Sequence, residues 1–139
     1  MPIGLRGDNL IFLISQPRAG STLLQRILGS HPEVHTVSEP WLMLHPFYAT
    51  RAEGIDTEYS QRIARVGVGS FMEEMPNGRD DHDEGIRRMY AHLYTRALDG
   101  SGKSRFLDKT PRYYLIIPDL LRVFPEARFI LLFRNPLAV

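Results

Sequence analysis

The chain has 139 residues, of which 43% are hydrophobic and 24% charged, and its formal net charge is +1. This composition is typical of one soluble globular domain, and the near-neutral charge gives no support for a nucleic-acid binder or a polybasic membrane patch. The absence of cysteine excludes disulfides, thiol catalysis and cysteine-ligated zinc.

The first nine residues carry Arg6 and Asp8, and no small-residue cleavage site follows them. The apolar run behind them is too short to span a bilayer. We therefore expect no signal peptide and no membrane span, and the cytoplasm is the expected location.

A strand, a tight loop and a helix are predicted over residues 10–28. Residues 10–14 form a continuous apolar run, as expected of a strand that is covered on both faces of a parallel sheet. Pro17 and Gly20 break this run, and apolar residues then recur at helical spacing. A helix that starts near Gly20 or Ser21 points its first free N–H groups and the positive end of its dipole into the loop.

This arrangement binds anions, and the Arg18 guanidinium and the hydroxyls of Ser21 and Thr22 would add donors. The same residues, 17–22, are also compatible with an ordinary strand-to-helix turn that a serine or threonine caps. The order of strand, loop and helix favours the anion site but leaves both interpretations open.

A short strand is predicted over residues 34–37, and Ser38-Glu39-Pro40 follows it. Because strand C-termini face the ligand crevice in open α/β sheets, Glu39 could approach whatever the loop holds. The alternative is that Ser38 or Glu39 caps a helix that begins near Pro40. This stretch alone favours the cap.

The middle of the chain carries fewer signals. A weak helical pattern over residues 63–75 is interrupted by two glycines, and residues 76–84 resemble a solvated loop whose acidic cluster fails the calcium-loop spacing. Residues 86–98 predict an amphipathic helix. His31 and His35 flank a proline-containing turn rather than one helical face, so no metal site is predicted.

Strong α/β signals return in the last third. Residues 105–108 predict a strand, residues 111–123 a helix with a kink or break at Pro118, and residues 128–133 the most pronounced strand. That strand ends in Arg134, which favours a second anionic group there. Strands that alternate with helices predict an α/β domain with a three-layer, doubly wound parallel sheet.

The loop differs from an ATP-binding phosphate loop. With Gly20 aligned to that motif's last glycine, Ser15 stands at its first glycine and Ser21 at its lysine, and only Thr22 fits. Asp108 closes one strand and could serve magnesium. A degenerate P-loop kinase or ATPase relative therefore stays open as an alternative, as does an inactive, truncated binder of a phosphorylated ligand.

Three segments together resemble sulfotransferases, enzymes that move a sulfuryl group from 3′-phosphoadenosine 5′-phosphosulfate (PAPS) to a hydroxyl or amine. Residues 17–24, Pro-Arg-Ala-Gly-Ser-Thr-Leu-Leu, resemble the family's 5′-phosphosulfate loop. Residues 129–139 resemble its 3′-phosphate strand and turn. Residues 108–113 are similar to its lysine-containing segment, notably in bacterial and tyrosylprotein members.

The resemblance implies one sulfotransferase domain over residues 1–139, with a P-loop-NTPase-like fold. Its 5′-phosphosulfate loop would be residues 15–22 and its 3′-phosphate strand residues 128–136. The family's serine that completes the 3′-phosphate site would fall beyond Val139. The chain is therefore expected to be a C-terminally truncated, N-terminal part whose activity alone is doubtful.

The resemblance also implies roles for individual residues. Arg134 matches the arginine that binds the 3′-phosphate, Lys109 the lysine that steadies charge on the transferring group, and Glu39 the base that deprotonates the acceptor. The 5′-phosphosulfate would be held by Arg18, Ala19, Gly20, Ser21 and Thr22. Transfer would be in line and without a metal, from PAPS to a small-molecule, glycan or peptide acceptor rather than to a nucleic acid.

Overall fold

The computed structural model describes residues 1–138; Val139, the last residue of the segment that resembles the 3′-phosphate turn, lies outside the described residues. Four strands in residues 1–138 form one sheet in the order β2-β3-β1-β4: β1 (Leu10–Ser15), β2 (Val34–Thr36), β3 (Arg105–Lys109) and β4 (Arg128–Leu132). Every neighbouring pair is parallel. The C-terminal ends of the strands therefore lie at one edge of the sheet, and the predicted parallel α/β sheet is confirmed.

Helices connect the strands. The helix α1 (Ser21–Gly29) follows β1, and α2 (Leu44–Tyr48), α3 (Gln61–Glu74) and α4 (Arg79–Leu98) lie between β2 and β3. A 3₁₀ turn (Tyr113–Ile116) and α5 (Ile117–Val123) follow β3, and a second 3₁₀ turn (Pro136–Ala138) follows β4. The predicted break at Pro118 is confirmed, because this residue lies in the first turn of α5, where its missing N–H has no helical partner to lose.

The alternation of side chains along the strands divides the core between two faces of the sheet. On one face, Phe12 and Ile14 pack in a buried cluster with side chains of α4, the first 3₁₀ turn and α5. On the other face, Leu13 and Leu107 pack with leucines of α1. Helices on both faces give the three-layer arrangement that the sequence predicts.

Two predictions for the middle of the chain are wrong. The helix α3 runs without a break through Gly67 and Gly69, both of which lie in open space. The helix α4 begins at Arg79, so most of the predicted loop at residues 76–84 is helical. Asp80 and Asp81 in its first turn are favourable there because their charges face the positive end of the helix dipole.

Asp83 also differs from the solvated residue that the sequence predicts. Its side chain is buried, and its Oδ2 accepts a hydrogen bond of 2.6 Å from Nε of Arg122 in α5. This ion pair joins residues 39 positions apart, which a local sequence pattern cannot show. It fixes the start of α4 against α5.

The strand β4 ends the sheet among the described residues and is more open than its apolar sequence suggests. Leu131 and Phe133 are exposed, and the strand ends at Leu132 rather than at Phe133. No helix in residues 1–138 combines the length and apolar character that crossing a membrane requires.

Candidate functional site

The loop between β1 and α1 ends in an uncapped helix. Gly20 is the N-cap residue, with a φ of +96° in the left-handed region and open space where a Cβ would stand. No side chain caps the helix. The interpretation of residues 17–22 as a turn with a serine or threonine cap is therefore wrong. The first N–H groups of α1 are left for another acceptor, and a helix N-terminus favours an anion.

Arg18 lies in the same loop with an unusual backbone. Its φ is +58°, which costs a non-glycine residue about 1 kcal/mol or more, and its side chain is exposed. The neighbouring Ala19 is buried and anchors the loop. Strained backbone of this kind is frequent at ligand-binding loops.

Lys109, at the end of β3, connects two other segments of the chain. Its Nζ donates a hydrogen bond of 2.7 Å to Oε1 of Glu39 and lies 3.4 Å from Oγ1 of Thr22. The Lys109 side chain is only 4% exposed, whereas that of Glu39 is 36% exposed. The structure thus brings Thr22, Glu39 and Lys109 together at the N-terminus of α1, although they are 17 and 70 residues apart in sequence.

The loop that carries Glu39 is held in place by α1. Nε2 of Gln25, a buried residue of α1, donates to Oγ1 of Thr36 at 2.9 Å and to the carbonyl oxygen of Val37 at 2.7 Å. No helix begins near Pro40, since the next one starts at Leu44. The interpretation of Glu39 as a helix cap is therefore wrong.

Arg134 follows β4 in the loop next to that of Arg18. The register pairs Ser15 with Leu132, and Nε2 of Gln16 donates to the carbonyl oxygen of Arg134 at 2.5 Å. The Arg134 side chain is exposed. Within residues 1–138, neither Arg18 nor Arg134 forms an ion pair with a carboxylate. Both charges are thus available to a ligand at this edge of the sheet.

Asp108 does not lie in the crevice at the C-terminal edge of the sheet. The sequence alone leaves open a position there from which this residue could bind magnesium. Its side chain is fully buried on the face of β3 opposite to that of Lys109. It accepts hydrogen bonds from the hydroxyls of Tyr94, Tyr113 and Thr110. Burial raises its pKa to about 6, although the three hydrogen bonds lower it. Sequence reasoning missed this cluster; the only signal was the alternation of Asp108 with Lys109 along a strand.

A cavity of about 500 Å³ is lined by segments that follow Glu39 and Lys109 in sequence. Leu44 and His45 in its wall come soon after Glu39, and Arg112 in its wall comes three residues after Lys109. Its other lining residues are Tyr48, Gly54, Ile55, Asp56 and Leu115. Its volume is sufficient for a small organic group.

Comparison with known proteins gives consistent matches. The model of the sulfotransferase family matches residues 10–139. The chain is 34% identical over 142 residues to the nodulation protein NoeE of Sinorhizobium fredii, which covers 94% of this chain and 30% of that protein. It is 29% identical over 132 residues to a Caenorhabditis briggsae protein named "Putative protein-tyrosine sulfotransferase", covering 95% and 41% of the two chains.

A third match, 33% identical over 132 residues, is an uncharacterized protein of Aquifex aeolicus, covering 93% of this chain and 16% of that protein. The chain thus spans less than half the length of each of these three relatives.

Proposed function

The chain belongs to the sulfotransferase family, and on that premise we propose that its site transfers the sulfuryl group of PAPS to an acceptor hydroxyl or amine. The observation that carries this proposal is the meeting of Thr22, Glu39 and Lys109, with Lys109 Nζ 2.7 Å from the carboxylate and 3.4 Å from the hydroxyl. A transfer between an anionic donor and a hydroxyl needs a fixed cation and a proton acceptor close together.

The donor's 5′ end would bind at residues 15–22. The uncapped N-terminus of α1 offers N–H groups, and the open space at Gly20 lets an anion approach the backbone closely. The exposed Arg18 and the hydroxyls of Ser21 and Thr22 add charge and donors, while buried Ala19 holds the loop in position.

The donor's 3′-phosphate would bind Arg134 in the adjacent loop. The exposed guanidinium lies past the end of β4, and the hydrogen bond from Gln16 joins this loop to the first one. Residues 128–136 would then form the 3′-phosphate side of one sulfotransferase domain that includes the whole chain. An arginine suits this task because its planar guanidinium can make two parallel hydrogen bonds to a phosphate.

The chemistry assigned to this chain needs two groups. Glu39 accepts the proton of the acceptor hydroxyl while the acceptor oxygen bonds to sulfur and the bond from sulfur to the leaving phosphate oxygen breaks. Lys109 donates to the negative charge that develops on that leaving oxygen. The fixed charges of Lys109, Arg18 and the helix N-terminus supply the stabilisation, so the proposed transfer uses no metal.

The acceptor would approach from the side of Glu39, and the cavity of about 500 Å³ is lined by Leu44 and His45, which follow Glu39 in sequence. One relative is named "Putative protein-tyrosine sulfotransferase", which supports a peptide acceptor, while the small-molecule and glycan alternatives follow from the resemblance to the family. The cytoplasm remains the predicted location.

Calorimetry tests the nucleotide assignment. We expect 3′-phosphoadenosine 5′-phosphate (PAP), the product left after sulfuryl transfer, to bind the chain more tightly than ATP with Mg²⁺ does. Its affinity should be unchanged by EDTA. Tighter binding of Mg-ATP would favour the kinase or ATPase alternative and overturn the proposal.

A further inference from the structure

A closed hydrogen-bond network lies beneath the site, on the face of β3 opposite to Lys109. The fully buried carboxylate of Asp108 accepts from Tyr94 in α4, from Tyr113 at 2.8 Å and from Thr110 at 2.9 Å. Both of its oxygens are engaged, and the proposed reaction does not use it. A buried carboxylate is costly unless its partners are well placed, so its presence calls for an explanation.

Two of the three hydroxyls also contact the backbone that follows Glu39. Oγ1 of Thr110 accepts from the N–H of Trp41 at 3.2 Å, and the hydroxyl oxygen of Tyr113 accepts from the N–H of Met43 at 3.1 Å. Trp41 has a φ of +59°, which an L-residue rarely adopts unless its surroundings hold it there. The network therefore fixes a strained segment close to Glu39.

The charge of Asp108 sets the direction of both contacts. A hydroxyl has one proton, so the proton that Thr110 or Tyr113 donates to the carboxylate leaves only its oxygen lone pairs for a second partner. Those lone pairs face the N–H groups of Trp41 and Met43. If Asp108 were replaced by a group that donates, the hydroxyls could turn and both backbone contacts would weaken.

We propose that Asp108 is a positioning residue for Glu39. Through Thr110 and Tyr113 it holds the backbone at Trp41 and Met43, and this keeps the Glu39 carboxylate against Lys109 on the other face of the strand. This inference rests on the proposed function, because it treats Glu39 and Lys109 as the reacting pair.

The rival explanation is that the network only stabilises the core. A variant of Tyr94 distinguishes this explanation from the positioning role. Tyr94→Phe removes one buried hydrogen bond to Asp108, but among the described residues the Tyr94 hydroxyl forms no hydrogen bond with the segment after Glu39. Thr110→Val removes a comparable bond and also the contact with Trp41. Thr110→Ser keeps the hydroxyl and should restore the wild-type behaviour.

The direct readout is acetylation of Lys109, measured by mass spectrometry on the full chain without nucleotide. Lys109 is buried and paired with Glu39, and Lys103 is the only other lysine in the sequence. Lys103 donates to the carbonyl oxygen of Val34 at 2.8 Å, so its labelling reports general loosening of the fold. The ratio of the two rates therefore reports specifically on the contact between Glu39 and Lys109.

We expect Thr110→Val to raise the acetylation rate of Lys109, relative to that of Lys103, about fivefold. This factor corresponds to the free energy of one net hydrogen bond. Tyr94→Phe and Thr110→Ser should leave the ratio unchanged. Tyr113→Phe, which removes the contact with Met43, should raise it and serves as the second variant if Thr110→Val does not fold. An unchanged ratio in the folded variants, or an equal rise in Tyr94→Phe, would overturn the proposal.

The single tryptophan of the chain gives an independent readout. Acrylamide quenching of Trp41 should increase in Thr110→Val and Tyr113→Phe but not in Tyr94→Phe. Both the acetylation and the quenching measurements are made without nucleotide. Failure of PAP to bind would overturn the proposed function and leave these results standing, whereas an unchanged labelling ratio beside normal PAP affinity would overturn only the positioning role.

Discussion

Asp108 and Lys109 are neighbours in β3, and their side chains lie on opposite faces of the sheet. The carboxylate is enclosed by three hydroxyls, while the ammonium group contacts Glu39 and Thr22. Because successive side chains of a strand alternate between faces, exchanging the two residues would bury an ammonium group among three hydroxyls with no carboxylate to neutralise it. One strand end thus carries a cation that contacts Glu39 and Thr22 on one face and a hydrogen-bonded carboxylate on the other.

Loss of either exposed arginine should weaken PAP binding. Arg18→Ala and Arg134→Ala each remove charge-assisted hydrogen bonds to one end of the nucleotide, so we expect the Kd to rise about 10- to 100-fold. Arg128→Ala is the matched control, because Arg128 is also exposed but stands at the other end of β4. Isothermal titration calorimetry measures all three; unchanged affinity in both site variants would contradict the two-anion site.

Replacing Glu39 should separate turnover from donor binding. Glu39→Gln removes the proposed proton acceptor, so we expect sulfuryl transfer from PAPS to a tyrosyl peptide or an oligosaccharide to fall about 100-fold or more in the longer protein of which this chain is expected to be the N-terminal part. The PAP Kd should not rise, since the variant also frees Lys109 from its ion pair. Transfer assays with radiolabelled PAPS measure the first effect and calorimetry the second. Near-normal turnover would remove Glu39 as the base.

The free energy of unfolding should depend on pH through the titration of Asp108. Its pKa is about 6 in the folded chain and 3.8 ordinarily, so between these values the folded state binds more protons than the unfolded state. The contribution of Asp108 to stability therefore falls as the pH rises through this window, by about 3 kcal/mol in all. Urea unfolding of the wild type and Asp108→Asn from pH 4 to pH 8 tests this, because the other titrating groups cancel in the difference. Parallel pH profiles would contradict it.

Two ion pairs of equal length should differ in their contribution to folding. Arg122 and Asp83 are 2.6 Å apart, as are Arg6 and Glu126, but Asp83 is buried and Glu126 is half exposed. Arg122→Ala leaves a buried carboxylate with only Arg79 at 3.9 Å, so we expect a loss of about 2 kcal/mol or more. Arg6→Ala should cost about 1 kcal/mol or less. Chemical denaturation compares the two, and equal losses would contradict the distinction.

Local patterns were sufficient to predict the elements that frame the site. The apolar run of β1, the loop glycine and the helical spacing of α1 depend on residues close in sequence, and all three are confirmed. The parallel sheet also follows from the alternation of strands and helices. Position alone favours anion binding at Arg18 and Arg134, whereas the specific roles of these two arginines, Glu39 and Lys109 came from the resemblance to sulfotransferases. All of these roles remain predictions.

Long-range contacts account for what the sequence did not reveal. The start of α4 depends on the contact of Asp83 with Arg122, and the Asp108 cluster joins hydroxyls from α4, from the residue after β3 and from the first 3₁₀ turn. The ion pair of Glu39 with Lys109 crosses 70 positions and replaces the local capping that Ser38-Glu39-Pro40 suggested. Each contact is decided by the packing of segments that are far apart in sequence, which the order of residues within one segment does not encode.

The hydrogen bond from the Gln16 amide to the carbonyl oxygen of Arg134 joins the two loops for which we propose anion binding. The backbones of the two loops are then held side by side before a nucleotide arrives, and a molecule with anions at both ends loses its translational freedom only once. Adenosine 5′-phosphate supplied together with inorganic phosphate should therefore compete poorly with PAP, although the mixture offers the same chemical groups.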